Sequence, residues 1–158
     1  AKNKNTPPRY QHLAKTGIPV VEFPDEAGCL RLIAGEYKGL KGAADTFTEM
    51  NVWDIVLNAG KKAVLEIPET HNLSMVVLRG NVILNGKERA GAGELVGFEQ
   101  NGGNVYIEAG SEKVKILLLS GVPIDEPVVG YGPFVMNTTE EILQAISDFK
   151  SGKFGSID

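Results

Sequence analysis

The octet Val82-Ile83-Leu84-Asn85-Gly86-Lys87-Glu88-Arg89 decides the fold class. Asn-Gly tolerates the positive φ angles of a two-residue type I′ turn, and here it stands between a β-favouring run and a charged return, so the octet predicts an antiparallel hairpin. The same pattern extends outward in both directions. Short apolar or alternating runs at 19–23, 29–34, 52–57, 63–67, 75–78, 82–84, 95–98, 105–107 and 114–119 are broken by Gly, Pro and Asn, and each has strand length and β-branched enrichment. In Lys113-Val114-Lys115-Ile116 the alternation turns Val114 and Ile116 inward and leaves the lysines in water. From Ile18 to Ser120 the chain therefore reads as an antiparallel sandwich or barrel.

The glycines between these runs, Gly91-Ala92-Gly93 and Gly102-Gly103, read as turn formers rather than ligand contacts. After Gly121 the character changes. Pro123, Pro127 and Pro133 impose an extended path to Asn137, where a helix starts: Thr138 caps it, Glu141 closes a capping box, and Glu140 and Glu141 suit the positive end of the helix dipole. Ile142, Leu143, Ala145, Ile146 and Phe149 make one apolar stripe, and Lys150 and Gly152 end the helix. The stripe is expected to be covered, by the outer sheet of the barrel ahead of a second domain. The sequence thus divides into a linker-like opening, 1–17, a barrel, 18–121, and an extended tail with a C-terminal helix, 122–158. The opening Lys2-Asn3-Lys4-Asn5-Thr6-Pro7-Pro8 suits a segment joining an upstream domain to this one, and a trimmed tail would look the same.

Composition narrows the function classes. At 158 residues, 42% hydrophobic and 23% charged, the chain has the make-up of one folded domain. Its net charge is −4, with Lys and Arg scattered singly or as pairs such as Lys61-Lys62, so no basic face offers itself to a phosphate backbone. The longest uninterrupted apolar run, Ile116 to Leu119, is far short of the roughly 20 residues that span a bilayer. Neither nucleic acid nor membrane is expected as a partner. The single cysteine, Cys29, lies in a strand-like run and reads as buried core, and the expected compartment is the reducing cytoplasm.

Motifs that carry chemistry are sparse. There are two histidines. His12 lies in the opening and His71 in Pro68-Glu69-Thr70-His71-Asn72, where it reads as a loop or rim residue. Neither has a second imidazole at strand spacing, whereas non-haem iron sites combine two or three with a carboxylate. No nucleophile elbow, phosphate loop or Cys-x-x-Cys pair is present. Glu66 and Glu94 read as structural carboxylates, and Trp53 as core or pocket wall. No residue is assigned a catalytic, cofactor-binding or metal role.

The tail carries a family likeness. Gly121-Val122-Pro123-Ile124-Asp125-Glu126-Pro127-Val128-Val129-Gly130-Tyr131-Gly132-Pro133-Phe134-Val135-Met136-Asn137-Thr138, continued by Glu140-Glu141-Ile142 and Ala145-Ile146-Ser147-Asp148-Phe149, resembles the signature of pirin-family proteins. Thr6-Pro7-Pro8-Arg9-Tyr10-Gln11 is similar to that family's inter-domain linker. The resemblance implies an all-β, cupin-type double-stranded β-helix (a jelly-roll barrel) with one C-terminal α-helix, forming the second half of a bicupin. It further implies that iron sits only in an N-terminal barrel of the same polypeptide, held by three histidines and a glutamate, where quercetin 2,3-dioxygenase activity is placed. Counting back from Gly80, the positions where a metal-binding cupin has His-x-His and Glu hold Glu66, Pro68 and Asn72, so no metal role carries over and no cofactor is expected in this chain. The half read here is expected to serve structure or regulation, with the N-terminal cupin domain as its partner and some members acting through further proteins. The competing expectation is a self-sufficient cupin module that binds a small molecule or, in the manner of a transcription cofactor, a protein.

Overall fold

A computed structural model describes residues 2–4 and 6–155. Its elements in chain order are β1 (Val20–Glu22), β2 (Gly28–Ala34), β3 (Glu36–Tyr37), β4 (Leu40–Lys41), β5 (Met50–Leu57), β6 (Lys62–Glu66), β7 (Asn72–Arg79), β8 (Asn81–Leu84), β9 (Glu88–Gly91), β10 (Leu95–Phe98), β11 (Asn104–Ala109), β12 (Val114–Gly121), β13 (Val129–Tyr131), β14 (Phe134–Met136) and α1 (Thr139–Lys150). They fall into two compact units, residues 9–123 and residues 124–158 with 1–8.

In the first unit a six-stranded sheet, ordered β1-β2-β5-β12-β7-β10, faces a four-stranded one, β6-β11-β8-β9, and a small hairpin β3–β4 lies beside them. Every strand pair is antiparallel. Alternate residues from both sheets, among them Leu30, Ile55, Ile116 and Leu118 opposite Leu65, Leu84 and Ile107, are withdrawn from water and form one core. This is the cupin-type barrel. The Asn85-Gly86 hairpin forms as expected: φ is 49° at Asn85 and 72° at Gly86, and Lys87 N–H closes the turn on Leu84 C=O at 3.0 Å. Residues 9–17 are tied to this unit, since the Gln11 amide exchanges two hydrogen bonds of 2.9 Å with the Asp45 backbone.

On the outward face of the larger sheet Asp54 takes an ion pair from Arg31 at 3.1 Å and another from Lys115 at 3.4 Å, across β2, β5 and β12. Cys29 stands on that outward face, half-buried rather than in the core, because strand parity gives the inward positions to Leu30 and Leu32. Burial pushes its thiol pKa up, and the Glu22 and Asp54 carboxylates push the same way.

The second unit is a hairpin followed by a helix. The extended path read from the prolines is interrupted by β13 and β14, which pair from Val129↔Met136 to Tyr131↔Phe134 around Gly132, whose φ is +55°. The capping box forms: Glu141 N–H donates to the Thr138 hydroxyl at 3.2 Å, and the Glu141 carboxylate accepts from the backbone N–H of Thr138 at 3.3 Å and of Asn137 at 2.8 Å. The apolar stripe is only partly covered. Ile142 and Ala145 are buried, while Leu143 and Phe149 are both 63% exposed, Phe149 meeting Phe134 and Phe154 at ring-centroid distances of 6.2 and 6.3 Å. The Asn137 N–H foremost, with Lys4 at 3.5 Å, holds the Glu141 carboxyl below its ordinary range.

Three outcomes test this account. Ile116→Ala, at a fully buried position between the sheets, lowers stability by about 2–5 kcal/mol in urea unfolding. Thr138→Ala costs about 1 kcal/mol of helix stability. Because Glu141 has its pKa lowered on folding, its contribution is present above the ordinary carboxylate value of 4.5 and is lost as pH falls through the lowered one. Helical circular dichroism of the wild type should therefore decline with acid, and Glu141→Gln should flatten that decline.

Candidate functional site

One end of the barrel opens into a cavity of about 690 Å³, with β3, β4, the start of β5 and the turn between β6 and β7 around it. Ile67 and His71 frame that turn: Ile67 N–H reaches Gly103 C=O at 2.7 Å, and His71 N–H returns to Pro68 C=O at 3.0 Å. His71 is a loop residue, as expected, but a buried one rather than one on an open rim. It is 4% exposed, and both ring nitrogens have partners, Nδ1 with Ser120 Oγ at 3.2 Å and Nε2 with Glu49 Oε1 at 3.2 Å.

These contacts belong to a longer chain. Glu36 N–H donates to Asn51 Oδ1 at 3.1 Å, and Asn51 Nδ2 donates to Ser120 Oγ at 3.0 Å. The Ser120 hydroxyl has then accepted one bond, and its own proton has His71 Nδ1 as acceptor, which leaves Nε2 to carry the ring proton toward Glu49. This assignment follows from donor and acceptor accounting and is the one that satisfies every member. Asn51, His71 and Ser120 are all buried, so the chain spares three polar side chains the cost of lying unpaired inside the barrel.

Trp53 is both core and cavity wall. It is 1% exposed and meets Tyr37 edge-on at 5.0 Å, and its indole N–H has no acceptor among the described residues. Glu66 and Pro68 line the same cavity. Glu94 lies elsewhere, accepting from Gly91 N–H at 2.6 Å in the turn after β9, and His12 is exposed in the segment before β1.

Ser120, Asn51 and Glu49 were not singled out from sequence, although parity along the strands points to two of them. Ser120 continues the inward series Val114, Ile116, Leu118, and Asn51 precedes Trp53, Ile55 and Leu57. A polar residue on an inward position demands a buried partner, and each of these is the other's.

Residues 52–155 match the family profile of the pirin C-terminal cupin domain. The chain belongs to the pirin family. A Pseudomonas aeruginosa relative, whose name gives quercetin 2,3-dioxygenase provisionally, is 44% identical over 98% of the chain and 53% of its own length. A pirin-like protein of Solanum lycopersicum is 35% identical, again over 98% and 53%. Among solved structures, a crystal structure of quercetin 2,3-dioxygenase from Acinetobacter baumannii superposes with a TM-score of 0.89 at 44% identity, covering 99% of this chain and 54% of that one. The pirin chain thus spans about half the length of the curated relatives it matches.

A cupin iron site needs several imidazoles and a carboxylate meeting at one point. In this pirin domain the corresponding positions present the exposed Glu66 carboxylate, the Pro68 ring, which has no donor atom, and Asn72, exposed at the start of β7. The one imidazole nearby has both nitrogens engaged within the protein, and among the described residues no three His, Cys, Asp or Glu side chains converge as a metal site. The donor set does not fit iron. Among the described residues no helix is long and apolar enough to cross a membrane.

Ser120→Ala strands His71 Nδ1 and an Asn51 N–H and is expected to cost about 1–3 kcal/mol in chemical denaturation. Long-range ¹H–¹⁵N spectra of the wild type at neutral pH should show the His71 proton on Nε2; a proton on Nδ1 would contradict the bonding order given above.

Proposed function

We propose that this chain is the metal-free C-terminal half of a bicupin, a structural or regulatory domain whose N-terminal barrel holds the iron and performs a quercetin 2,3-dioxygenase-type reaction. One observation carries the reading: at the end of the barrel where a cupin gathers its ligands, the only imidazole is already bonded through both nitrogens and its neighbours are Glu66 and Pro68. The length relation to the relatives, and the names that some of them bear, support the same reading. On this view the contribution of the domain is mechanical. It presents walls to the first barrel, and the β13–β14 hairpin with α1 supplies exposed aromatic surface for the N-terminal domain or a further protein partner.

The cavity favours a second reading, a cupin module that binds a small molecule in its own right, because a concave site of that volume lined by both aromatic and charged groups is the form small-molecule sites take.

Elemental analysis of the purified chain is expected to find well under about one iron or zinc ion per chain, since the donors for either are missing. The chain should also leave quercetin uncleaved when iron(II) and oxygen are supplied. Stoichiometric metal that disappears in His71→Ala, or iron-dependent quercetin turnover above buffer, overturns the proposal.

A further inference from the structure

We propose that the cavity beside His71 is a binding site for an uncharged, monosaccharide-sized polyol. The inference stands on the barrel of this chain alone and does not depend on the bicupin reading.

Charge comes first. Four carboxylates, Glu36, Asp45, Glu49 and Glu66, line the cavity against two ammonium groups, Lys38 and Lys41. Asp45 is paired with Lys41 at 3.8 Å, and Glu49 is held by His71. The Glu36 and Glu66 carboxylates have no hydrogen-bond or ion-pair partner among the described residues, so the lining asks for donors and repels anions. A second and independent feature asks for an acceptor. Trp53, on the wall, is 1% exposed and its indole N–H is unpaired among the described residues, an unmet bond that a buried tryptophan rarely keeps.

A simple organic cation answers the carboxylates and leaves the indole unmet; an anion does the reverse. Hydroxyl groups answer both, because each donates and accepts. Asn51 and Ser120 are buried and engaged in the chain to His71, so they shape the floor. The Tyr37 ring, 5% exposed and 5.4 Å from Lys38 Nζ, adds apolar wall. Since the indole nitrogen is closed to water, a ligand oxygen reaches it only as the wall yields, and binding is therefore coupled to a change around Trp53.

The chain has one tryptophan, so its emission reports that change directly. The experiment titrates the chain with D-glucose, D-mannitol and myo-inositol, with glucose 6-phosphate as the anionic counterpart, and follows emission and, in parallel, calorimetric heat. At least one neutral polyol is expected to give a saturable red shift with a Kd near or below about 1 mM, in the range that a few good hydrogen bonds provide, and glucose 6-phosphate to bind at least about tenfold more weakly than glucose at low salt. Trp53→Phe keeps a ring on the wall and removes the donor, and calorimetry should show binding weakened about tenfold. Should that variant fold poorly, Glu66→Gln tests the exposed donor-seeking side with the core untouched, and there too affinity should fall several-fold. No saturable response to any of the three neutral polyols up to about 100 mM overturns the proposal, as does binding left unchanged by these substitutions or stronger for the phosphate. Metal content is measured on the same samples, so a failure here is distinguishable from a failure of the metal-free reading.

Discussion

The Ser120 hydroxyl is the joint on which the open end of this barrel depends. It lies on β12, between β5 and β7 in the larger sheet, accepts from Asn51 on β5 and faces His71 in the turn just before β7. Three segments distant in sequence are thereby joined by two bonds inside a low-dielectric interior, where each is stronger than in water and its loss dearer. A barrel filled wholly with aliphatic side chains at this level would be at least as stable, but it would have no cavity. The polar chain lets the interior stop short of the mouth without leaving buried groups unpaired.

On the metal-free reading proposed above, that arrangement would let a cupin barrel keep its shape without a metal. Where a metal gathers side chains from separate strands, it cross-links them. Here the cross-link is made by hydrogen bonds whose donors and acceptors run in one direction, from the Glu36 N–H to the Glu49 carboxylate. The end carboxylate is solvent-exposed, with 71% of the Glu49 side chain accessible, so the chain is anchored in the core and terminates in water.

Much of this was legible in the sequence, for identifiable reasons. The Asn85-Gly86 turn and the Thr138–Glu141 capping box are local, set by residues within four positions of one another, and both appear as read. The alternation around Val114 and Ile116 correctly assigned inside and outside. Local reasoning failed where the deciding partner was remote. His71 does lie in a loop, as read, but its burial was not legible, because it is set by Ser120, 49 positions away. Cys29 looked like core because its neighbours are apolar, and a single step of parity moved it to the other face. The β13–β14 hairpin was hidden by Pro133, which reads as a strand breaker but here sits in the turn beside Gly132.

The ion pairs of Asp54 have a bearing on how such a barrel avoids folding wrongly. Its sheets are held by ladders that any apolar strand can satisfy, and slipping one strand by a single residue exchanges its two faces. Slippage of β5 would carry Asp54 from between Arg31 and Lys115 into the space now filled by Trp53 and Ile55, stranding a charge among aliphatic groups at a cost of several kcal/mol. The carboxylate therefore acts less as glue for the finished sheet than as a proofreader of its register, penalising mispaired barrels while they are still forming.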